Sequence, residues 1–209
     1  MEYLINLILH LDKHLSVLIQ NYGTLIYVIL FLVIFTETGI VIMPFLPGDS
    51  LLFIIGALCS KGDLHLGLCL GLLFLAAVLG DTVNYWIGNY IGPKVFEWNS
   101  RFLKKSYLVK AKDFYEQHGG RTIIIARFIP IVRTFAPFVA GVGSMKYANF
   151  LFYNLLGGAV WVGGFILLGF FFGELPFVKQ NFAFIALGII GLSVVPPLYE
   201  YARHYFKKK

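Results

Sequence analysis

A chain of 209 residues with 58% hydrophobic and only 13% charged residues falls well outside soluble domains, where roughly half and a quarter are usual. The apolar segments run along nearly its whole length, which leaves room for one membrane domain, residues 1–209, and no separate soluble one. The net charge of +6 is concentrated in two clusters beside apolar segments, a placement that argues for anionic lipid headgroups as the partner and against nucleic acid.

Residues 1–22 lack the basic start and small-residue cleavage site of a signal peptide and are expected to stay in the mature protein. Glu2, Asn6, His10 and Lys13 recur at helical spacing, so this stretch reads as an amphipathic helix lying in the membrane interface.

Residues 24–60 hold two apolar runs separated by MPFLPGD. The second run, Ser50 to Ser60, is too short for a crossing of roughly 20 residues. Pro44, Pro47 and Gly48 interrupt them, and proline removes an amide donor and clashes with the preceding turn. This segment is expected to be a re-entrant hairpin. Residues 64–91 follow as one uninterrupted apolar run and read as a transmembrane helix.

Residues 93–121 carry seven Lys or Arg against Glu97, Asp113 and Glu116, and the tail 199–209 carries four against Glu200. The excess of basic residues places both on the cytoplasmic side. Three full crossings between them would put them on opposite sides, whereas two crossings and one hairpin keep them together. Residues 122–145 contain Pro130 and Pro137 and are the natural second hairpin, entering from the cytoplasm. Residues 150–172 and 177–198 then cross outward and back.

The fold expected is therefore an all-α membrane protein, with transmembrane helices and two opposed re-entrant helical hairpins in a pseudo-inverted repeat, preceded by the amphipathic helix. A weak internal echo agrees, since the interval from Gly56 to Gly88 equals that from Gly141 to Gly173. Transporters often use such repeats, with the substrate site at the broken helices.

Broken backbone at membrane depth survives only where protein or a water-filled cavity satisfies it, so both breaks should face inward. The first hairpin carries Glu37 and Asp49, the second Arg127 and Arg133, and Asp81 lies in the intervening helix near Asn84 and Tyr85. Each charge would cost roughly 3 kcal/mol or more at the lipid midplane, so these groups are expected to neutralise one another inside the protein. A purely structural ion-pair cluster is the plainer reading, but a buried pair rarely repays its desolvation when apolar packing is available. Arginine in particular offers a planar fork for phosphate oxygens.

The stretches FTETGIVIMPFLPGDSLLFIIGAL, GDTVNYWIGNYIG and FYEQHGGRTIIIARFIPIVRTFAPFVAGVGSM, with the chain length, resemble the bacterial DedA family of the DedA/VTT superfamily over nearly the whole chain. The resemblance implies a multi-pass protein of the bacterial inner membrane, related to eukaryotic lipid scramblases, in a family some of whose members translocate undecaprenyl phosphate or phospholipid. The family's functional acids match Glu37 and Asp49, and its functional arginines match Arg127 and Arg133.

Both lines converge on a transporter or flippase for an anionic lipid phosphate. Arg127 and Arg133 bind the headgroup, while Glu37, Asp49 and Asp81 serve as ion-pair partners or proton-coupling groups. Pro44, Pro47, Gly48, Pro130 and Pro137 shape the two breaks. The alternatives are a proton-coupled small-ion or drug exporter supporting membrane homeostasis and, from another class, a lipid phosphatase. The five histidines are scattered away from both breaks, and Cys59 and Cys69 have no CxxC spacing. No enzyme activity, metal or cofactor is expected, the two thiols read as small buried hydrophobes, and a homo-oligomer is compatible with the sequence.

Overall fold

A computed structural model describes residues 22–39, 48–97, 119–143, 145–173 and 175–176. The expected interfacial helix, Pro44 and Pro47, the greater part of the basic segment and everything from residue 177 onward lie outside these. Among the described residues the fold is all-helical: α1 Leu25–Gly39, α2 Gly48–Lys61, α3 Leu66–Glu97, α4 Arg121–Ala126, α5 Pro130–Val142 and α6 Tyr147–Phe172. The segments Leu66–Ile91 and Tyr147–Phe172, 26 residues each with mean hydropathy 2.1, are long and apolar enough to cross a membrane. The first belongs to a helix that continues through Gly92 and Pro93 to Glu97, beyond the expected end at residue 91.

The chain divides into two compact units, one of Met1–Val33, Leu46–Phe74 and Val162–Lys209, the other of Ile34–Phe45 and Leu75–Trp161. In the first, α2 is buried along nearly its whole length. Asp49 sits in its first turn and Lys61 in its last, each at the end of the helix dipole that favours its charge. The helix stops at Gly62, whose φ of 85° suits glycine. There Gly62 N–H donates to the Cys59 carbonyl at 3.2 Å and Asp63 N–H to the Leu58 carbonyl at 3.1 Å, the paired bonds of a Schellman cap. Cys59 and Cys69 are both free and buried.

The second unit contains the broken segment. Three successive amides, of Arg127, Phe128 and Ile129, donate three residues back to Ile124, Ile125 and Ala126 at 3.3, 3.1 and 3.0 Å, tightening the end of α4. Ile129 is then extended, with φ −118° and ψ 103°, because the ring of the following proline disfavours the helical region. Pro130 opens α5 at a position where no amide is needed. Of the two prolines expected to break residues 122–145, Pro130 stands at the break. Pro137 lies inside α5 without ending it. Neighbouring groups can re-satisfy carbonyls around a helical proline in a protein interior, and here Asn84 Nδ2 donates to the Thr134 carbonyl at 2.7 Å, in the turn that precedes the ring.

Glycine sets how closely the helices approach. In the first unit, a Cβ at Gly56 of α2 would strike the Ile166 carbonyl and the Phe170 amide of α6. In the second, a Cβ at Gly141 of α5 would strike the Tyr85 carbonyl and the Asn89 amide of α3. Each glycine thus lies over one i to i+4 backbone bond of a long helix, and because backbone is the obstacle, nothing cheap can move aside. Gly141→Ala is therefore expected to lower the thermal midpoint of the detergent-solubilised protein, at about 1–3 kcal/mol for the overpacked contact. Gly163→Ala, which meets nothing within 4 Å, is the control and should leave it unchanged or slightly raised. Equal midpoints for the two variants would contradict the close approach of α5 to α3.

Candidate functional site: two buried arginines

The polar centre of the second unit is assembled at three close approaches. A Cβ at Gly39 of α1 would lie 3.4 Å from the backbone of Gly80 in α3, and a Cβ at Gly80 would overlap the Thr38 hydroxyl. That crossing brings Glu37 and Thr38 beside Asp81 and Asn84. On α6, Gly157 makes room for Arg127, since a Cβ there would stand 3.0 Å from Arg127 Cδ and 3.2 Å from Nε. Below the polar groups, the Tyr85 ring stacks on Phe150 with centroids 4.5 Å apart, and its hydroxyl donates to the Met145 carbonyl. Ile123, Ala126, Ala136 and Ala140 complete this apolar floor.

Two ion pairs result. Arg133 Nη2 donates to Glu37 Oε1 at 2.6 Å, with the two side chains 4% and 1% exposed. Arg127, the residue that ends α4, donates through Nη2 to Asp81 Oδ2 and to Asn154 Oδ1. Asn154 is held in turn by its own amide, which donates to the Val78 carbonyl at 3.1 Å. Trp161, fully buried, underlies both cations, with the Arg133 guanidinium carbon 4.7 Å and that of Arg127 5.8 Å from its ring centroid. Asn84 Nδ2 joins the Thr38 carbonyl at 3.3 Å, in the last turn of α1, to that of Thr134 in α5.

The four charges Glu37, Asp81, Arg127 and Arg133 sum to zero, as buried charges at membrane depth should. Their pairing differs in one respect from the arrangement expected from sequence. Arg133 takes an acid of the first hairpin, Glu37. Arg127 takes Asp81, from α3. Asp49 is buried in the first turn of α2 and belongs to the first unit, as does Gly48, the first residue of that helix.

Among the described residues, Arg127 Nε and Nη1, Asp81 Oδ1 and Asn84 Oδ1 are buried polar atoms with no hydrogen-bond partner. Buried polar groups are ordinarily satisfied, and each that is not costs about 1–3 kcal/mol. The atoms on Arg127 are donors and those on Asp81 and Asn84 are acceptors. Among the described residues no group of three or more His, Cys, Asp or Glu is arranged to hold a metal.

Sequence reasoning passed over Asn154, Trp161, Thr38 and Thr134. Asn154 could have been found, because it is the only amide, hydroxyl or charged side chain other than tyrosine between Phe150 and Phe172, and such a residue in an apolar span must find a polar partner. Trp161 carried no such signal, since a tryptophan among Val, Gly and Phe reads as core.

Helices apolar enough to span a bilayer, enclosing a neutral cluster of buried charges, mark the chain as a membrane protein. It belongs to the DedA family: residues 46–171 match the family model described as the VTT domain. The chain is 51% identical over 205 residues to protein DedA of Escherichia coli, covering 97% of this chain and 94% of that protein. It is 45% identical over 167 residues to an uncharacterized membrane protein of Mycobacterium leprae, covering 79% and 75%. It is 37% identical over 160 residues to the inner membrane protein YqjA of Escherichia coli, covering 75% and 72%. No solved structure matches the chain.

Proposed function

We propose that the protein carries an anionic lipid phosphate, undecaprenyl phosphate or a phospholipid, between the leaflets of the bacterial inner membrane. The observation that carries this reading is Arg127. It is 2% exposed and already neutralised by Asp81, yet two of its guanidinium nitrogens have no hydrogen-bond partner among the described residues. An arginine serving only to fasten helices would be expected to spend its fork on the protein, because each unmet buried donor is costly. A phosphate offers acceptor oxygens in the geometry that a guanidinium fork matches.

The bound headgroup adds negative charge to a cluster that is neutral without it. A phosphate monoester brings about −1.5 to −2 near neutral pH. Proton uptake by Glu37 would offset part of that charge, which is the physical basis for coupling transport to protons. The same glycine packing in each unit, Gly56 over α6 and Gly141 over α3, supports a pseudo-inverted repeat of two re-entrant hairpins, with the C-terminal tail in the cytoplasm.

Reconstitution tests the reading. The purified chain in liposomes containing undecaprenyl phosphate or labelled phospholipids should move at least one of these headgroups between leaflets, faster under an imposed proton gradient. Arg127→Met should remove the movement. Release of free phosphate from the lipid would make the protein a phosphatase instead. Movement of small cations or drugs without lipid would make it an exporter.

A further inference from the structure

Among the described residues, the unsatisfied atoms around Arg127 include two kinds. Arg127 Nε and Nη1 are donors, whereas Asp81 Oδ1 and Asn84 Oδ1 are acceptors. The acceptors sit three residues apart on α3, hence on one face of the helix, and Asp81 is tied to Arg127 through its other oxygen. Both hydrogens of the Asn84 amide have carbonyl partners, at Thr38 and Thr134, so a flip of that amide cannot turn Oδ1 away from the cluster without breaking both bonds.

We propose that Asp81 and Asn84 are specificity-determining residues: they accept a hydrogen bond from the P–OH of a hydrogen phosphate monoester whose other oxygens accept from Arg127. This rests on the reading of the site as a lipid-phosphate carrier and narrows it. A phosphodiester anion presents oxygen lone pairs only. It would satisfy Arg127 but set its own lone pairs against the Asp81 carboxylate and the Asn84 carbonyl oxygen. A fully ionised monoester would do the same with twice the charge. The monoprotonated monoester has both donor and acceptor oxygens, and it adds a single negative charge to a neutral cluster. The site therefore selects a monoester bearing one proton over diester phospholipids. The rival occupant is a buried water, which also donates and accepts and would bridge the same atoms without reading the ligand.

A pair of lipids separates these cases. A short polyprenyl phosphate and its O-methyl ester share a tail, and at about pH 5, below the second phosphate pKa near 6, both carry close to one negative charge. They differ in the P–OH. The full chain in nanodiscs is expected to bind the monoester about tenfold more tightly than the methyl ester, as for one hydrogen bond to a charged acceptor. In Asp81→Asn, an amide that keeps its oxygen on Arg127 turns an N–H toward the ligand, and the preference should disappear. Should that variant fail to fold, the comparison of the two esters on the parent chain decides alone. Equal binding of the two esters, as a water-filled site would give, overturns the proposal while leaving lipid-phosphate carriage intact. Competition by inorganic phosphate, with neither lipid bound, would keep the acceptor pair, assign it free phosphate and remove the lipid. No binding of any of the three would end the carrier reading and this inference together.

Discussion

Asp81→Ala is expected to remove most of the folded protein from the membrane fraction. The substitution leaves Arg127 buried at 2% exposure with Asn154 as its remaining hydrogen-bond partner and no carboxylate opposite it. Removing one member of a buried ion pair costs about 3–5 kcal/mol, a large part of the roughly 5–15 kcal/mol that holds an ordinary domain together. The double variant Asp81→Ala with Arg127→Met should recover much of the yield, because no uncompensated charge remains. Recovery should be incomplete, since Asn154 loses its donor. Size-exclusion yield and thermal midpoint in detergent measure both effects. The double variant should also be inactive in lipid movement, which separates the structural role of the pair from the binding role of the cation. A single variant as stable as the parent would mean that Asp81 is not the counter-charge of Arg127.

Arg133→Lys should fold and yet lose lipid movement by about tenfold or more. Arg133 meets two demands at once. Its Nη2 reaches Glu37 Oε1 at 2.6 Å, and its guanidinium carbon lies 4.7 Å from the Trp161 ring centroid. A lysine ammonium can keep the charge and the contact with Glu37, so folding should survive. It cannot lay a flat fork against the indole while pointing donors elsewhere. A desolvated cation on tryptophan is worth about 2 kcal/mol, and a loss of that order in a group proposed to position the headgroup corresponds to roughly a tenfold or greater fall. Trp161→Leu should produce a similar fall in the parent and add little to Arg133→Lys, since both remove the same contact. Leaflet exchange in liposomes at matched protein incorporation measures the effect. Full activity of Arg133→Lys would show that the site needs charge alone.

The sequence made the membrane class and the inventory of buried charges legible, because both follow from the cost of polar groups in hydrocarbon. It also put a break within residues 122–145, at Pro130 and Pro137, of which the structure shows the one at Pro130. Two things were not legible. Pro137 reads in sequence like Pro130, yet Pro130 opens α5 whereas Pro137 lies inside it, and spacing alone does not tell the two apart. The partner of Arg127 was likewise open, because Asp81 and Asn154 are 46 and 27 residues away and the close approach of Arg127 to α6 is made at Gly157. Glycine is frequent in any membrane helix, so which glycine marks a crossing emerges from packing rather than from spacing.

The central claim is that Arg127 keeps part of its fork for a phosphate at the centre of the second unit. Solid-state NMR of the reconstituted chain, labelled with nitrogen-15 arginine and loaded with the lipid phosphate, measures that contact as a dipolar coupling between guanidinium nitrogen and phosphorus. We expect a coupling at hydrogen-bonded distance that disappears in Arg127→Lys. A spectrum in which phosphorus couples only to other arginines, unchanged in that variant, would contradict it.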